Sequence, residues 1–121
     1  MSPDAKSCAL LFAAAFILSL FARGAAAEEL TLADGGASEY TIVLPENPTP
    51  VQTTAARELA ATLKEISGAE LLVVSETAVT VAPEEKLLVI GPSAASRALL
   101  AGSVDEDALG YDAIVIRRVG R

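Results

Sequence analysis

The sequence has no histidine and no tryptophan, and it contains one cysteine, two tyrosines and three phenylalanines. The cysteine and all three phenylalanines lie before position 22. Beyond that N-terminal segment, the composition excludes histidine base chemistry, cysteine nucleophiles, thiolate zinc sites and disulfide scaffolds. The length of 121 residues fits one small domain. Together these shortages argue against a self-sufficient enzyme.

Residues 1–27 have the pattern of a secretory signal peptide. Lys6 supplies positive charge at the start, an apolar run covers residues 8–22, and residues 25–27 are three alanines of the A-x-A form. The apolar run is shorter than the roughly 20 residues that a membrane-spanning helix needs. We therefore expect cleavage after the three alanines. The alternative is an uncleaved anchor that ends at Arg23.

The chain is acidic, with a formal net charge of −7. Removal of the signal segment would leave 7 basic and 15 acidic side chains. Such a surface repels phosphate backbones and anionic lipid, which argues against nucleic-acid partners and restricts membrane contact to the signal segment. An export signal followed by a cysteine-free chain predicts a secreted or periplasmic bacterial protein.

The remaining residues, 28–121, have the pattern of a small α+β domain. Alternating or short apolar runs predict strands over 30–34, 39–44, 70–75, 86–90 and 111–117, with a weaker edge strand over 77–81. Asp34-Gly35-Gly36 predicts a tight reversal between the first two strands. The order β-β-α-β-β-α-β predicts a two-layer sandwich, in which two helices pack on one face of a small mixed sheet.

The first predicted helix has clear signals at both ends. Residues 49–52 combine an N-cap threonine, a proline at the first helical position and the glutamine of a capping box, and Gly68 provides a left-handed stop. The apolar stripe predicted for its buried side is Val51, Ala55, Leu59, Leu63 and Ile66. Ser93 predicts the cap of a second, shorter helix that stops at Gly102.

The residues left for catalysis are mainly carboxylates. The candidates for paired acid and base work are Asp105, Glu106, Asp107, Asp112, Glu84 and Glu85. Adjacent acids in a loop or strand point in divergent directions, so we expect a solvated surface there. Ser93 follows Gly91-Pro92 as in a weak nucleophile elbow, but the second glycine and the histidine are missing, and a helix cap explains it better. The sequence assigns no catalytic, cofactor-binding or metal-binding residue.

Sugar binding by an independent module draws on aromatic faces. After the signal segment the chain offers two aromatics for this purpose, Tyr40 and Tyr111, and each lies in or beside a predicted strand. The sequence therefore supplies such a platform poorly.

Four segments together resemble a known domain. They are Ala56-Arg57-Glu58-Leu59, the stretch 63–69 that ends in Ile66-Ser67-Gly68-Ala69, Leu88-Val89-Ile90-Gly91, and the stretch 109–114. Their order over about residues 30–121 resembles the N-terminal domain of bacterial α-glucuronidases, which is related to the non-catalytic domain before the barrel in β-N-acetylhexosaminidases. The resemblance implies a zincin-like α+β fold without a zinc site, and catalysis in a following (β/α)8 barrel. It carries no catalytic residue onto this chain.

The leading hypothesis is a non-catalytic accessory domain of a secreted glycoside-hydrolase-like protein of polysaccharide degradation, of the α-glucuronidase or xylan type. It would pack against a catalytic barrel, and we expect the domain to be truncated at its C-terminal end. One alternative is a free-standing periplasmic module, either structural or binding a polysaccharide or oligosaccharide. A third hypothesis, an intact enzyme of new chemistry, has few acid–base groups to use.

Overall fold

The computed structural model describes residues 29–110 and 113–120. The chain divides into two units, Met1–Leu30 and Thr31–Arg121, and the elements below belong to the second. The signal peptide predicted over 1–27 lies outside the described residues. In chain order the elements are β1 (Thr41–Leu44), α1 (Pro50–Ser67), β2 (Val73–Ser75), a 3-10 turn (Glu76–Ala78), β3 (Leu87–Val89) and α2 (Ala94–Leu100). The α+β class predicted from the sequence is confirmed.

The three strands form one sheet in the order β2-β1-β3, with β1 in the middle. Both pairings are parallel, and Ile42 of β1 lies opposite Val73 of β2 and Leu88 of β3. Parallel neighbours need a crossover connection, and α1 supplies it between β1 and β2. We expected a mixed sheet from the sequence, whereas the strands in the described part of the chain pair in parallel.

Helix α1 begins and ends where the sequence predicted. The Thr49 hydroxyl accepts the Gln52 N–H at 3.2 Å, and the Gln52 side-chain oxygen accepts the Thr49 N–H at 2.9 Å, so the capping box is complete. At the other end Gly68 has a φ of 76° and donates its N–H to the Lys64 carbonyl oxygen at 2.8 Å. A left-handed residue of this kind stops a helix at little cost when it is glycine.

The buried side of α1 differs from the predicted stripe. Ala56 and Leu63 are buried and Leu59 packs against them, whereas Val51 is 77% exposed and Ile66 is 73% exposed. The buried residues still follow the spacing of three and four that one helix face requires, but this face is centred on Ala56. The small Ala56 side chain lets the helix lie close to the sheet. The remaining members of the core cluster are Ile42, Leu44, Ala69 and Leu71.

The other face of the sheet is centred on Val43, which is fully buried. Its register partners are Val74 in β2 and Val89 in β3. Directly opposite residues point to the same side of a sheet, so these three valines line that face. Helix α2 contributes no residue to the core cluster under α1.

Three predicted strands do not form in the described residues. Residues 30–34 contribute one isolated antiparallel bridge, between Asp34 and Ala37, around a reversal in which Gly35 and Gly36 have φ of 57° and 80°. The reversal itself was predicted correctly. A longer hairpin ladder does not follow because the Ser38 hydroxyl donates to the Leu32 carbonyl oxygen at 2.6 Å.

The other two predicted strands that do not form in the described residues lie further along the chain, over 77–81 and 111–117. Residues 77–81 were expected to form an edge strand, but the 3-10 turn replaces its start, because the Ser75 hydroxyl accepts the Thr77 N–H. Residues 113–117 carry no strand. Residues 111–112, the start of that predicted strand, lie outside the described residues.

Candidate functional site

The carboxyl ends of the parallel strands meet at one edge of the sheet, where open α/β sheets usually bind their ligands. The chain leaves this edge through Pro45 and Glu46 after β1, through Glu76 after β2, and through Gly91-Pro92-Ser93 after β3. The N-termini of both helices follow two of these exits. The carboxyl ends of the strands are therefore the first candidate for a ligand-binding or catalytic site.

The Glu76 carboxylate is held at the centre of this edge by backbone groups. It accepts the Ala95 N–H at 2.7 Å and the Glu46 N–H at 3.1 Å. Glu76 thus joins the segment after β1 to the start of α2. Hydrogen bonds from Ala95 and then Glu46 are the main reasons that the pKa of Glu76 lies below its ordinary value. This carboxylate is ionised and engaged in holding the fold together.

Gln52 links the two helix N-termini. While its side-chain oxygen completes the capping box of α1, its amide nitrogen donates to the Pro92 carbonyl oxygen at 3.1 Å. The side chains of Gln52 and Glu76 therefore connect the segments that follow the three strands. Sequence reasoning identified Gln52 as a capping residue but missed its contact with Pro92, because no local pattern reports a partner 40 residues away.

Ser93 is the N-cap of α2, as the sequence predicted. Its hydroxyl accepts the Ser96 N–H at 3.0 Å, and the Ser96 hydroxyl accepts the Ser93 N–H at 2.9 Å. The Ser93 residue is 4% exposed. Both of its polar groups are engaged in this second capping box, which explains the serine without a catalytic role.

The acidic candidates named from the sequence do not converge. Glu106 accepts two hydrogen bonds from the Arg97 guanidinium, at 2.9 and 3.2 Å, and the Asp105 carboxylate accepts the Asp107 N–H at 3.1 Å. Glu84 and Glu85 are exposed in the turn before β3. Asp112 lies outside the described residues. Within residues 29–110 and 113–120, no three His, Cys, Asp or Glu side chains are placed to hold a metal ion.

The aromatic candidates do not form a binding platform in the described chain. Tyr40 is half-buried and packs against the core cluster, so its ring supports the sheet from inside. Tyr111 lies outside the described residues. A flat, accessible aromatic face, as sugar recognition requires, is not found on Tyr40.

Helix α1 exposes large apolar side chains at both ends, Val51 and Ile66, and the segment 113–117 exposes Ile114 and Ile116. Beside the N-terminal turn of this helix lies an open depression of about 420 Å³, lined by Pro50, Val51, Thr54 and Ala55. A second depression, of about 320 Å³, surrounds the Arg97–Glu106 pair. The larger depression is mostly apolar in its lining residues and contains no ionisable group, which suits packing against another surface more than catalysis.

The described helices include none that is long and apolar enough to cross a bilayer. Comparisons with known proteins return no matching family model, no matching curated protein and no matching solved structure. The site has to be interpreted from its own chemistry.

Proposed function

We propose that this chain carries a non-catalytic accessory domain of a secreted glycoside-hydrolase-like protein, of the α-glucuronidase type that acts in xylan degradation. In this proposal the domain has a zincin-like fold without a metal site and packs against a catalytic (β/α)8 barrel. The observation that carries the proposal is the apolar surface that α1 turns away from its own core.

That surface is a narrow stripe along one side of the helix. We define the outer stripe of α1 as Val51, Ala55, Thr62 and Ile66, all of which are exposed. At 3.6 residues per turn these positions fall within an arc of about 60°, and the stripe is about 22 Å long. Val51 and Ile66, at its two ends, are both more than 70% exposed. A partner that covers both ends of the stripe would remove these two side chains from water, which favours its binding.

The charges beside the stripe indicate what its partner would carry. Glu58 and Glu65 follow the same side of the helix, one beside each half of the outer stripe, and both are exposed. Carboxylates at the rim of an apolar contact favour a partner with basic side chains at its own rim. We therefore infer that the barrel surface that receives α1 is apolar with a basic margin.

The carboxylates of the described chain support a non-catalytic role. The pKa values of Glu39, Glu70 and Glu76 lie below the ordinary value, the first two because of hydrogen bonds from Lys86 and Lys64. A general acid in glycoside hydrolysis needs a raised pKa, so that it holds a proton at neutral pH. These three groups are shifted the opposite way, Glu39 and Glu70 in exposed ion pairs and Glu76 by the backbone N–H groups it joins.

The first test is direct. The full chain, incubated with aryl glucuronides and xylo-oligosaccharides, should give no turnover above buffer. Calorimetry should show binding to an α-glucuronidase barrel supplied as a separate chain. Turnover that disappears when one carboxylate of this chain is replaced would overturn the proposal. Saturable binding of oligosaccharides without binding of the barrel would overturn it in favour of a free-standing sugar-binding module.

A matched pair of variants tests the contact surface. Val51→Asp places a charge in the outer stripe and should weaken barrel binding at least tenfold. Ala61→Asp places the same charge on exposed α1 surface outside the stripe and should leave binding within about twofold. Thermal unfolding of both variants checks that each folds. Equal effects of the two variants would remove the outer stripe from the contact.

A further inference from the structure

The segment 113–117 is largely apolar and exposed, and it pairs with no strand in the part of the chain that the structure describes. It reads Ala-Ile-Val-Ile-Arg, and Ile114 and Ile116 are 85% and 93% exposed. Consecutive β-branched residues have a high strand propensity, yet this segment has no assigned strand in the described chain. Two isoleucines left in water are unfavourable, and covering them would stabilise the folded chain.

β3 is an outer strand of the described sheet, and its edge away from β1 is a surface against which these isoleucines could be buried. The Thr41 N–H bonds to the Lys86 carbonyl oxygen at 3.1 Å, and the Ile90 N–H bonds to the Val43 carbonyl oxygen at 2.9 Å. Alternate residues of a strand bond to opposite sides, so the backbone groups of Leu87 and Val89 face away from β1. The Leu87 N–H donates locally to the Glu85 carbonyl oxygen at 3.1 Å. A new partner strand would take over this donor.

One contact indicates the direction in which the segment reaches that edge. Gly120 has a φ of 83° and lies so close to Pro83 that a Cβ added to it would overlap the Pro83 carbonyl group. Pro83 precedes β3, whereas Gly120 follows the segment 113–117. A segment that runs back from this contact along β3 therefore lies antiparallel to it. A turn in which the Glu85 N–H donates to the Ala82 carbonyl oxygen separates Pro83 from β3, so the register follows from the sheet faces. The pairing that puts both isoleucines on the Val43 face places Ile116 opposite Leu87 and Ile114 opposite Val89.

We propose that residues 113–117 are a C-terminal strap that pairs antiparallel with the free edge of β3 in this register. Ile114 and Ile116 then lie on the same face as Val43, beside the half-buried Leu87 and Val89. Val115 lies beside Leu88 on the α1 face. A slip of one residue would point both isoleucines to the opposite face, so this register is distinguishable from the neighbouring ones by experiment.

Closure of the strap has two consequences. The sheet gains a fourth strand of opposite direction and becomes mixed, and the exposed edge of β3 is covered. Covered edges prevent pairing with other chains. This inference is independent of the proposed function, because it concerns one edge of the sheet and not the outer stripe of α1.

Hydrogen exchange of the unmodified full chain gives the first test. In the proposed register the N–H groups of Ile114 and Ile116 donate to β3, whereas those of Val115 and Arg117 point away. The first two should exchange at least tenfold more slowly than the second two. Uniformly fast exchange over 113–117 would overturn the proposal, and so would the reverse alternation, which reports the register shifted by one residue.

Cysteine pairs give the second test, in a full chain whose Cys8 is replaced by serine. Hydrogen-bonded antiparallel partners have Cα atoms about 5.5 Å apart, a separation that a disulfide can span. Leu87→Cys with Ile116→Cys should therefore form a disulfide within one chain under mild oxidation. The control, Leu87→Cys with Arg117→Cys, places the second thiol on the opposite face and should form it at least tenfold more slowly. Equal rates in both pairs, or a disulfide between two chains, would overturn the proposal.

Discussion

At the scale of single residues, the carboxyl edge of the sheet depends on a few short polar contacts. Glu76 and Gln52 each join parts of the chain that are far apart in sequence. Gly91 plays a different part, because its lack of a side chain leaves room for the capping box of α2. A Cβ at Gly91 would lie 2.7 Å from the Ser96 hydroxyl oxygen, which is the group that accepts the Ser93 N–H.

Gly91→Ala should therefore lower the free energy of unfolding by about 1 kcal/mol, the usual cost of losing a helix cap. Chemical denaturation measures the change. Gly110→Ala is the matched control, because a Cβ there meets nothing within 4 Å, and it should be close to neutral.

A double-variant cycle identifies the cause of that loss. In a Ser96→Ala background the hydroxyl that Gly91→Ala would displace is absent, so the glycine replacement should cost much less than it does in the unmodified chain. Equal costs in the two backgrounds would show that Gly91 acts through something other than the Ser96 hydroxyl.

At the scale of elements, α1 shows what local signals can and cannot determine. Its ends were predicted correctly because caps are encoded by neighbouring residues. Its buried face was not, since Val51 and Ile66 fit the helical spacing as well as Ala56 does. Which of two overlapping faces meets the sheet depends on how closely the backbone can approach it. That choice is made by the tertiary structure and leaves no separate mark in the helix sequence.

The two candidate faces of α1 can be separated by equal truncations. Leu63→Ala removes a side chain that is 9% exposed and belongs to the core cluster, so we expect a loss of roughly 2–4 kcal/mol in the free energy of unfolding. Ile66→Ala removes one that is 73% exposed and should change it by less than about 0.5 kcal/mol. Similar losses for both variants would contradict the observed orientation of the helix.

The strands were harder to predict than the helices. β1, β2 and β3 were anticipated as apolar runs, but each is shorter than its run. Parallel or antiparallel pairing depends on contacts between distant segments, and the sequence pattern of an apolar run is the same in both cases. The candidate site shows the same difference between local signals and contacts of distant segments. The capping role of Ser93 could be predicted locally, whereas the contacts of Glu76 with Glu46 and Ala95 could not.

At the scale of the whole molecule, the free energy of unfolding should depend on pH and should fall in acid. Glu39, Glu70 and Glu76 have pKa values below the ordinary 4.5. The stabilisation that these three ionised carboxylates contribute is fully present above pH 4.5. It is lost as the pH falls below 4.5 and through the lowered pKa values of the folded state, because the unfolded chain then binds protons more tightly than the folded one. The free energy of unfolding should be flat near pH 6 and should fall steadily below about pH 4.5.

Glu76→Gln isolates one contribution to this acid dependence. Urea denaturation between about pH 6 and pH 3 should give a shallower decline for this variant than for the unmodified chain, because one carboxylate with a lowered pKa has been removed. Glu58→Gln, an exposed carboxylate on α1, provides the comparison. A decline in Glu76→Gln as steep as in the unmodified chain would show that the contacts of Glu76 do not contribute to the acid dependence.

The position of β1 also affects when the protein can fold during synthesis. Of the described strands β1 is the first to leave the ribosome, yet it lies between Val73 and Leu88, which are made much later. In a nascent chain that ends before Leu88, the central strand β1 lacks its β3 partner on one side. Folding at that stage would therefore stabilise the chain little. Completion of the three-stranded sheet is thus postponed until the chain has been made at least as far as Val89, so β1 and α1 emerge well before that sheet can form.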